Sequence, residues 1–408
     1  MNYDEVENWL CNELPFFQNQ GSIAYKENLD NIFFLLKEID NPQNSFKSIH
    51  VAGTNGKGSV SYMLSRLLNK AGYNVGLFTS PHLITFRERI QLNNNNIDKE
   101  SVSLFTSLYK SLQKSINFSF FEFTTAMAFW YFNLKKVDIA IIECGLGGRL
   151  DSTNIINPIL SIITSISLDH SHILGEDIMS IAKEKSGIIK KNKPVLISSQ
   201  NNSEVVNLLI DTASKLSSPV FISKKITKNN YNIKVPIYQS FNIELVKSAE
   251  LILNELGFIF PKKKSKKSFK LYQNNIAFLG RWTIIKNKPL IICDMAHNVE
   301  GISLVFSQLR QVSKKKHIVL GFSSDKNLLE IFKQINLDAT FYFCSSSNPR
   351  VLDPKKYISL IKSLNKNFFI FNDPQSAVGK ITEEISNNDL IFVTGSTFIV
   401  ADVLSNFR

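Results

Sequence analysis

Ser48-Ile49-His50-Val51-Ala52-Gly53-Thr54-Asn55-Gly56-Lys57-Gly58-Ser59 is the stretch from which the fold of this 408-residue chain can be read. Its first five residues make a short, largely apolar strand. Beyond Ser59, Val60, Met63, Leu64, Leu67, Leu68 and Ala71 recur at helical spacing, and Gly72 stands where a C-terminal cap belongs. A strand, a glycine-rich turn and a helix in succession are the setting of a phosphate-binding loop. Glycines let backbone N–H groups close around phosphate oxygens, and a helix N-terminus favours an anion. Lys57 then supplies a point charge to the β- and γ-phosphates, and Ser59 sits at the helix N-terminus. The strict pattern has Ser or Thr directly after the lysine; here Gly58 intervenes.

Outward from this loop, apolar strands alternate with amphipathic helices. Val75–Thr79, Val137–Glu143 and Ile159–Ile166 read as strands, the last two as continuous apolar runs buried on both faces of a parallel sheet. Ile178–Ile188 and Glu204–Lys215 read as helices. The alternation restarts after Lys288. Strands are expected at Pro289–Asp294, His317–Gly321, Thr340–Phe343, Phe368–Phe371 and Leu390–Thr394. Helices are expected at Val299–Val312, Leu328–Gln334, Pro354–Ser363 and Gln375–Ile385. Two α/β domains follow, each on a mostly parallel sheet, with a boundary near Trp282 to Lys288 and a ligand site expected in the cleft between them.

Composition sets limits on the class of protein. Hydrophobic residues make up 44% and charged residues 20%, a globular balance. No apolar run reaches the ~18–20 residues that span a bilayer. Asp4, Glu5 and Glu7 near the start do not fit the basic first region of a signal peptide. Cys11, Cys144, Cys293 and Cys344 are far apart, which disfavours a zinc site or disulfide framework and fits a reducing cytosol. The net charge of +12 is compatible with an anionic partner. Its lysines, however, collect in stretches such as Pro261–Lys267 and Ser313–Lys316 without the interleaved aromatics of nucleic-acid modules. Compositional drift is the plainer reading of the charge. The chain is expected to be a cytoplasmic monomer that binds neither nucleic acid nor membrane.

Further polar motifs sit at strand ends. Thr79-Ser80-Pro81-His82-Leu83 places Ser80 to ligate magnesium or face a substrate, although a Ser-Pro pair is commonly just a turn. Glu143-Cys144-Gly145-Leu146-Gly147-Gly148-Arg149-Leu150-Asp151-Ser152-Thr153-Asn154 ends a buried strand on a carboxylate. An unpaired buried carboxylate is costly, so Glu143 points to magnesium or, alternatively, to a pairing with Arg149. Ser167-Leu168-Asp169-His170 follows a strand too. His82, His170, His172 and His297 all fall at strand ends; His317, at a strand start, reads as packing. On residue types alone, Ala182-Lys183-Glu184-Lys185-Ser186-Gly187-Ile188 is a solvated basic helix face. Asp294-Met295-Ala296-His297-Asn298 ends a strand before a helix, and Gly280-Arg281-Trp282 lies in the preceding connection, where an Arg can reach a phosphate.

Together these motifs resemble the folylpolyglutamate synthase / dihydrofolate synthase family, related to the Mur ligases. They occur in the family's order: Gly53–Ser59, Thr79–Leu83 with Phe86-Arg87-Glu88-Arg89-Ile90, Phe121–Ala128, Glu143–Asn154, Ser167–Gly175, Glu184–Ile188, Arg281 and Asp294–Asn298. The resemblance implies an α/β protein. A P-loop-type ATPase domain that binds ATP and a pterin or folate would span residues 1–284, on a mostly parallel sheet. A smaller Rossmann-like glutamate-ligase domain would span residues 285–408. It implies a ligase that uses ATP and Mg2+ to join L-glutamate to dihydropteroate or a reduced folate through an acyl phosphate. Gly56, Lys57, Gly58 and Ser59, with Asn55 beside them, would hold the ATP phosphates. Asn242, Arg281 and Asp294 would add further ATP contacts. Ser80, Glu143 and His170 would bind magnesium. Lys185 matches a lysine carried as a carbamate. Phe121, Glu122, Leu150 and Asp151 fall where the pterin binds, and His297 is the candidate for positioning the incoming amine.

The sequence departs from the family pattern at Lys26–Asn31, at Trp282-Thr283, at Met295 and at Val299. Two rivals remain. A Mur-type cell-wall ligase would carry a further domain ahead of the phosphate loop, for which the residues before Gly53 leave no room. A P-loop ATPase that binds nucleic acid is motivated by the charge alone.

Overall fold

Strands buried on both faces have no polar side to present, and the apolar runs around the phosphate loop behave accordingly. In the computed structural model, which describes residues 1–16, 28–226, 235–261 and 279–407, every residue of Ile139–Glu143 and Leu160–Ile163 is buried. The chain divides into two units, Met1–Lys225 with Phe241–Phe269 and Ile226–Ser240 with Lys270–Arg408.

The first unit holds an eight-stranded sheet. Its strands are β1 (Lys47–Ala52), β2 (Val75–Phe78), β3 (Ile90–Leu92), β4 (Asn95–Asn96), β5 (Ile139–Glu143), β6 (Leu160–Ile163), β7 (Val195–Ile197) and β8 (Val220–Ile222). Their order is β4-β3-β2-β5-β1-β6-β7-β8, parallel except that β3 runs antiparallel to both β2 and β4. β1 lies between β5, with Val51 opposite Glu143, and β6, with Ala52 opposite Ile163. From β1 the chain first builds outward on one side through β2, then returns to the other through β6. That reversal leaves a crevice beyond the carboxyl end of β1, where open α/β sheets take ligands. A core of Phe78, Phe105, Phe118, Phe120, Phe123, Phe129 and Phe132 fills out part of this unit.

The helix Phe120–Leu134 within that core was not anticipated. It is buried over most of its circumference, so it shows no amphipathic stripe to read. The helix that follows the phosphate loop does match its periodicity: it spans Lys57–Ala71 and ends at Gly72, whose φ is +106°.

The second unit has a six-stranded sheet of β9 (Thr283–Asn287), β10 (Leu290–Cys293), β11 (Lys316–Leu320), β12 (Thr340–Cys344), β13 (Phe368–Phe371) and β14 (Leu390–Thr394). Its order is β13-β12-β11-β14-β10-β9, parallel apart from β9. Here the expectation needs correction. The residues before Lys288 are not only a connection, because Thr283–Asn287 pairs antiparallel with β10 as an edge strand. The expected helix Pro354–Ser363 is a 3₁₀ turn over Pro354–Tyr357 followed by a helix over Ile358–Ser363. Among the described residues no helix is long and apolar enough to cross a membrane. None of the four cysteines is in a disulfide, and Cys144, Cys293 and Cys344 are buried.

Candidate active site

β1 delivers the chain to Gly53 at the sheet's carboxyl edge, and the helix begins at Lys57. Gly56 has φ +92°, and a Cβ there would come within 2.5 Å of Asn242 Oδ1. Only glycine fits both constraints, and the same observation sets Asn242 against the loop. Lys57 folds back over its own turn: Nζ donates to the carbonyls of Gly53 at 3.0 Å and Thr54 at 3.2 Å. The turn is laced to the segment after β6. Thr54 N–H donates to Ser165 O at 2.6 Å, and Ser167 N–H donates to Thr54 Oγ1 at 3.1 Å. That segment carries Asp169 and His170. His170 stands in the left-handed region, φ +53°, at the start of the short helix Ser171–Leu174.

Because β2 pairs directly with β5, the residues beyond their ends converge. Ser80 N–H donates to Glu143 Oε2 at 3.1 Å, and Glu143 is only 3% exposed. Arg149, weighed as a partner for Glu143, directs both Nε and Nη2 to Glu184 Oε1, at 3.1 and 2.9 Å. A buried carboxylate beside a serine offers the hard oxygen donors magnesium prefers. Among the described residues there is no group of three His, Cys, Asp or Glu that could hold a metal. Magnesium, which keeps several waters and substrate phosphates as ligands, fits such a sparse protein set.

Lys185 overturns the solvated-face reading. In the helix Ile178–Ser186 it is Lys183 that is exposed, whereas Lys185 is buried at 4% exposure. Its Nζ donates to Gly53 O at 2.9 Å, so two ammonium groups approach one carbonyl oxygen. Burial first, and the nearby Lys57 charge second, lower the Lys185 pKa to about 7. Nothing in helical spacing marks which lysine of Lys183-Glu184-Lys185 turns inward; only the docking of this helix on the glycine-rich turn decides it.

The expected pterin residues divide into two kinds. Phe121 lies over the turn after β5: a Cβ on Gly145 would come within 2.6 Å of its ring, and the Phe78 ring lies tilted against it at 5.7 Å. Phe121 and Leu150 are both part-exposed. The two carboxylates are taken up locally. Glu122 completes a capping box with Ser119, accepting from its N–H at 2.6 Å and its hydroxyl at 2.9 Å. Asp151 accepts from Leu146 N–H at 2.8 Å and Thr153 N–H at 2.9 Å.

Near this turn is a cluster that the sequence does not announce. Buried Arg89 donates from Nε to His82 Nδ1 at 2.8 Å and lies over the rings of Phe16 and Phe120, at 5.6 and 5.0 Å. Of the divergent stretch Lys26–Asn31, Lys26 and Glu27 lie outside the described residues.

In the second unit, Asp294 follows β10 and is deeply buried. It accepts from Trp282 N–H at 2.8 Å, Ala296 N–H at 3.0 Å and the Tyr238 hydroxyl. Burial raises its pKa, and the Tyr238 bond and the Arg281 charge oppose that rise. His297 Nδ1 lies 2.9 Å from Met295 O. A carbonyl can only accept, so Nδ1 carries the proton. At the carboxyl ends of β11 and β12, Asp325 is held by Lys326 at 3.3 Å and Arg350 at 3.1 Å, a net cationic cluster that sequence reading passed over.

Two family profiles match the chain: "Mur ligase middle domain" over residues 51–257 and "Mur ligase, glutamate ligase domain" over residues 280–397. The dihydrofolate synthase/folylpolyglutamate synthase of Buchnera aphidicola subsp. Baizongia pistaciae is 32% identical over 394 residues, covering 92% of this chain and 89% of that one. The chain belongs to the dihydrofolate synthase/folylpolyglutamate synthase family. The folylpolyglutamate synthase of Thermotoga maritima superposes with a TM-score of 0.78 at 31% identity, over 99% of this chain and 96% of that one. The Mycobacterium tuberculosis folylpolyglutamate synthase complexed with ADP gives a TM-score of 0.86 at 24% identity, over 99% and 98%, which shows a shared fold. The two-domain α/β architecture expected of the family is therefore present. Of the family's expected residues, the structure brings Gly56 together with Asn242, Lys57 with Lys185, and Ser80 with Glu143.

Proposed function

We propose that this chain is an ATP- and magnesium-dependent ligase that joins L-glutamate to dihydropteroate and to reduced folates through an acyl phosphate. One observation carries the reading. At the carboxyl edge of a single sheet, a glycine turn bearing Lys57 and contacted by Lys185 stands next to the strand end that holds Glu143, itself bonded by Ser80. Family membership supports the same assignment.

A carboxylate is a poor acyl donor at neutral pH, so its oxygen must first be phosphorylated. Asn55, Gly56, Gly58 and Ser59 cradle the phosphates of ATP. Lys57 leaves the carbonyls of its own turn to stabilise charge on the phosphoryl group in flight. Glu143 and Ser80, with His170, would hold magnesium, which would supply neutralisation of phosphate charge. Lys185 is suited to carbamate formation, since a buried amine near neutrality attacks CO₂ and releases a proton. Phe121 and Leu150 offer the pterin an apolar surface on a turn that Asp151 keeps in shape, and Glu122 holds the helix of Phe121 in place.

Asn242, Arg281 and Asp294 serve the nucleotide. Lys326 and Arg350 match the two carboxylates of glutamate. His297, its ring held by the bond to Met295 O, positions the attacking amine. Attack by that amine expels phosphate and gives the amide. Four cysteines with no disulfide support placement in a reducing compartment, the cytoplasm.

The test is purified protein with ATP, magnesium and glutamate, offered dihydropteroate and tetrahydrofolate in separate reactions, with products weighed by mass spectrometry. Addition of one glutamate to each substrate is expected, and none with Lys57→Ala. ATP turnover that ignores glutamate and rises with DNA or RNA would overturn the reading.

A further inference from the structure

His50 plays no part in the chemistry above, yet it is fully buried in β1, close before Gly53. Its Nε2 lies 2.8 Å from Thr153 Oγ1 and 3.0 Å from Cys144 Sγ. Its Nδ1 is buried and has no hydrogen-bond partner among the described residues. The protons around it can be assigned. The Asp151 carboxylate accepts a backbone N–H on each oxygen and also takes the Thr153 hydroxyl. That hydroxyl has a single proton and spends it on Asp151, so toward His50 it must accept. The His50 ring therefore carries its hydrogen on Nε2. Nδ1 is left as a bare lone pair in the core, an arrangement that costs about 1–3 kcal/mol. An apolar residue at this strand position would avoid that cost, so packing alone does not account for histidine here. Burial, aided by the Lys190 charge, lowers the ring's pKa to about 3, which keeps it neutral.

We propose that His50 is a positioning residue for the pterin side of the active site: its Nε2–H orients the Thr153 hydroxyl, Thr153 orients Asp151, and Asp151 fixes the Gly145–Leu146 turn on which Phe121 rests. The relay runs from the strand that carries the phosphate loop to the turn proposed to meet the pterin. It rests on the reading of Phe121 and Leu150 as the pterin surface.

The experiment compares His50→Leu, His50→Gln, Thr153→Val and Thr153→Ser, measuring KM for dihydropteroate, KM for ATP and Tm. Gln carries an N–H at the same distance along the side chain as Nε2; Leu fills space without a donor. His50→Leu and Thr153→Val should raise KM for dihydropteroate about tenfold, the effect of one lost hydrogen bond, while KM for ATP stays within about twofold. His50→Gln and Thr153→Ser should restore the parent KM. The proposal fails if Gln is as impaired as Leu, or if KM for ATP rises in step with that for dihydropteroate. Should His50→Leu not fold, the Thr153 pair decides the matter by the same criteria. Phe121→Ala separates the two readings: an unchanged KM for dihydropteroate there would sink the pterin surface itself, whatever the His50 variants show.

Discussion

The Gly53 carbonyl oxygen accepts from both Lys57 and Lys185, at 3.0 and 2.9 Å, which holds the two side-chain nitrogens against one atom. Burial penalises the charged form, the Lys57 ammonium adds to the penalty, and the pKa falls to about 7. The sign follows for both chemistry and stability. Above about pH 7 the Lys185 amine is neutral and open to CO₂, whereas an exposed lysine becomes so only near its ordinary pKa of about 10.4. Between those values the unfolded chain binds more protons at this site than the folded one, so its contribution to stability rises with pH across that window. Carbon-13 NMR with labelled bicarbonate should show a carbamate signal that is absent in mild acid, grows through neutrality and is missing in Lys185→Arg. A signal that emerges only in strong alkali would refute the assignment.

Secondary-structure elements were legible where side-chain pattern alone determines them. The strands Phe368–Phe371 and Leu390–Thr394 and the helix after the phosphate loop declare themselves by apolar runs or by period. Phe120–Leu134 did not, because a helix enclosed on most sides has no polar face to betray its turn. Thr283–Asn287 reads as connection because a part-exposed edge strand that contains Lys286 and is soon followed by Lys288 lacks the apolar run of its neighbours. Lys185 and His50 lie beyond such reading altogether. Each acquires its role from a residue distant in sequence, Gly53 for the first and Thr153 for the second.

At this same scale, Gly56→Ala sets two penalties on the phosphate turn: a φ of +92° that L-residues resist, and a methyl 2.5 Å from Asn242 Oδ1. Backbone strain of this kind costs ~1–3 kcal/mol, so affinity for ATP should fall about tenfold or more by calorimetry. Adding Asn242→Ala removes the clash but not the strain, and should bring no full recovery. Wild-type affinity in Gly56→Ala alone would show the turn to be looser than described.

Taken whole, the molecule is two α/β units with separate hydrophobic cores and a surplus of positive charge, +12 over the chain. Each glutamate added to a folate tail brings another carboxylate. If part of that charge faces the tail, the electrostatic share of binding grows with tail length, and salt screens it over about 8–10 Å. KM for a long-tailed folate should therefore climb more steeply with sodium chloride than KM for the monoglutamate. Parallel salt curves would assign the charge to composition alone.

The thiols of this chain carry a practical consequence. Cys144, Cys293 and Cys344 are shut inside the cores, and burial pushes the part-exposed Cys11 thiol up to about 11, far from the thiolate that alkylating reagents need. A maleimide dye should therefore leave the native protein almost unstained at neutral pH. Any cysteine installed on the surface would then serve as a single attachment point for a fluorophore or spin probe, with no native residue needing to be replaced first.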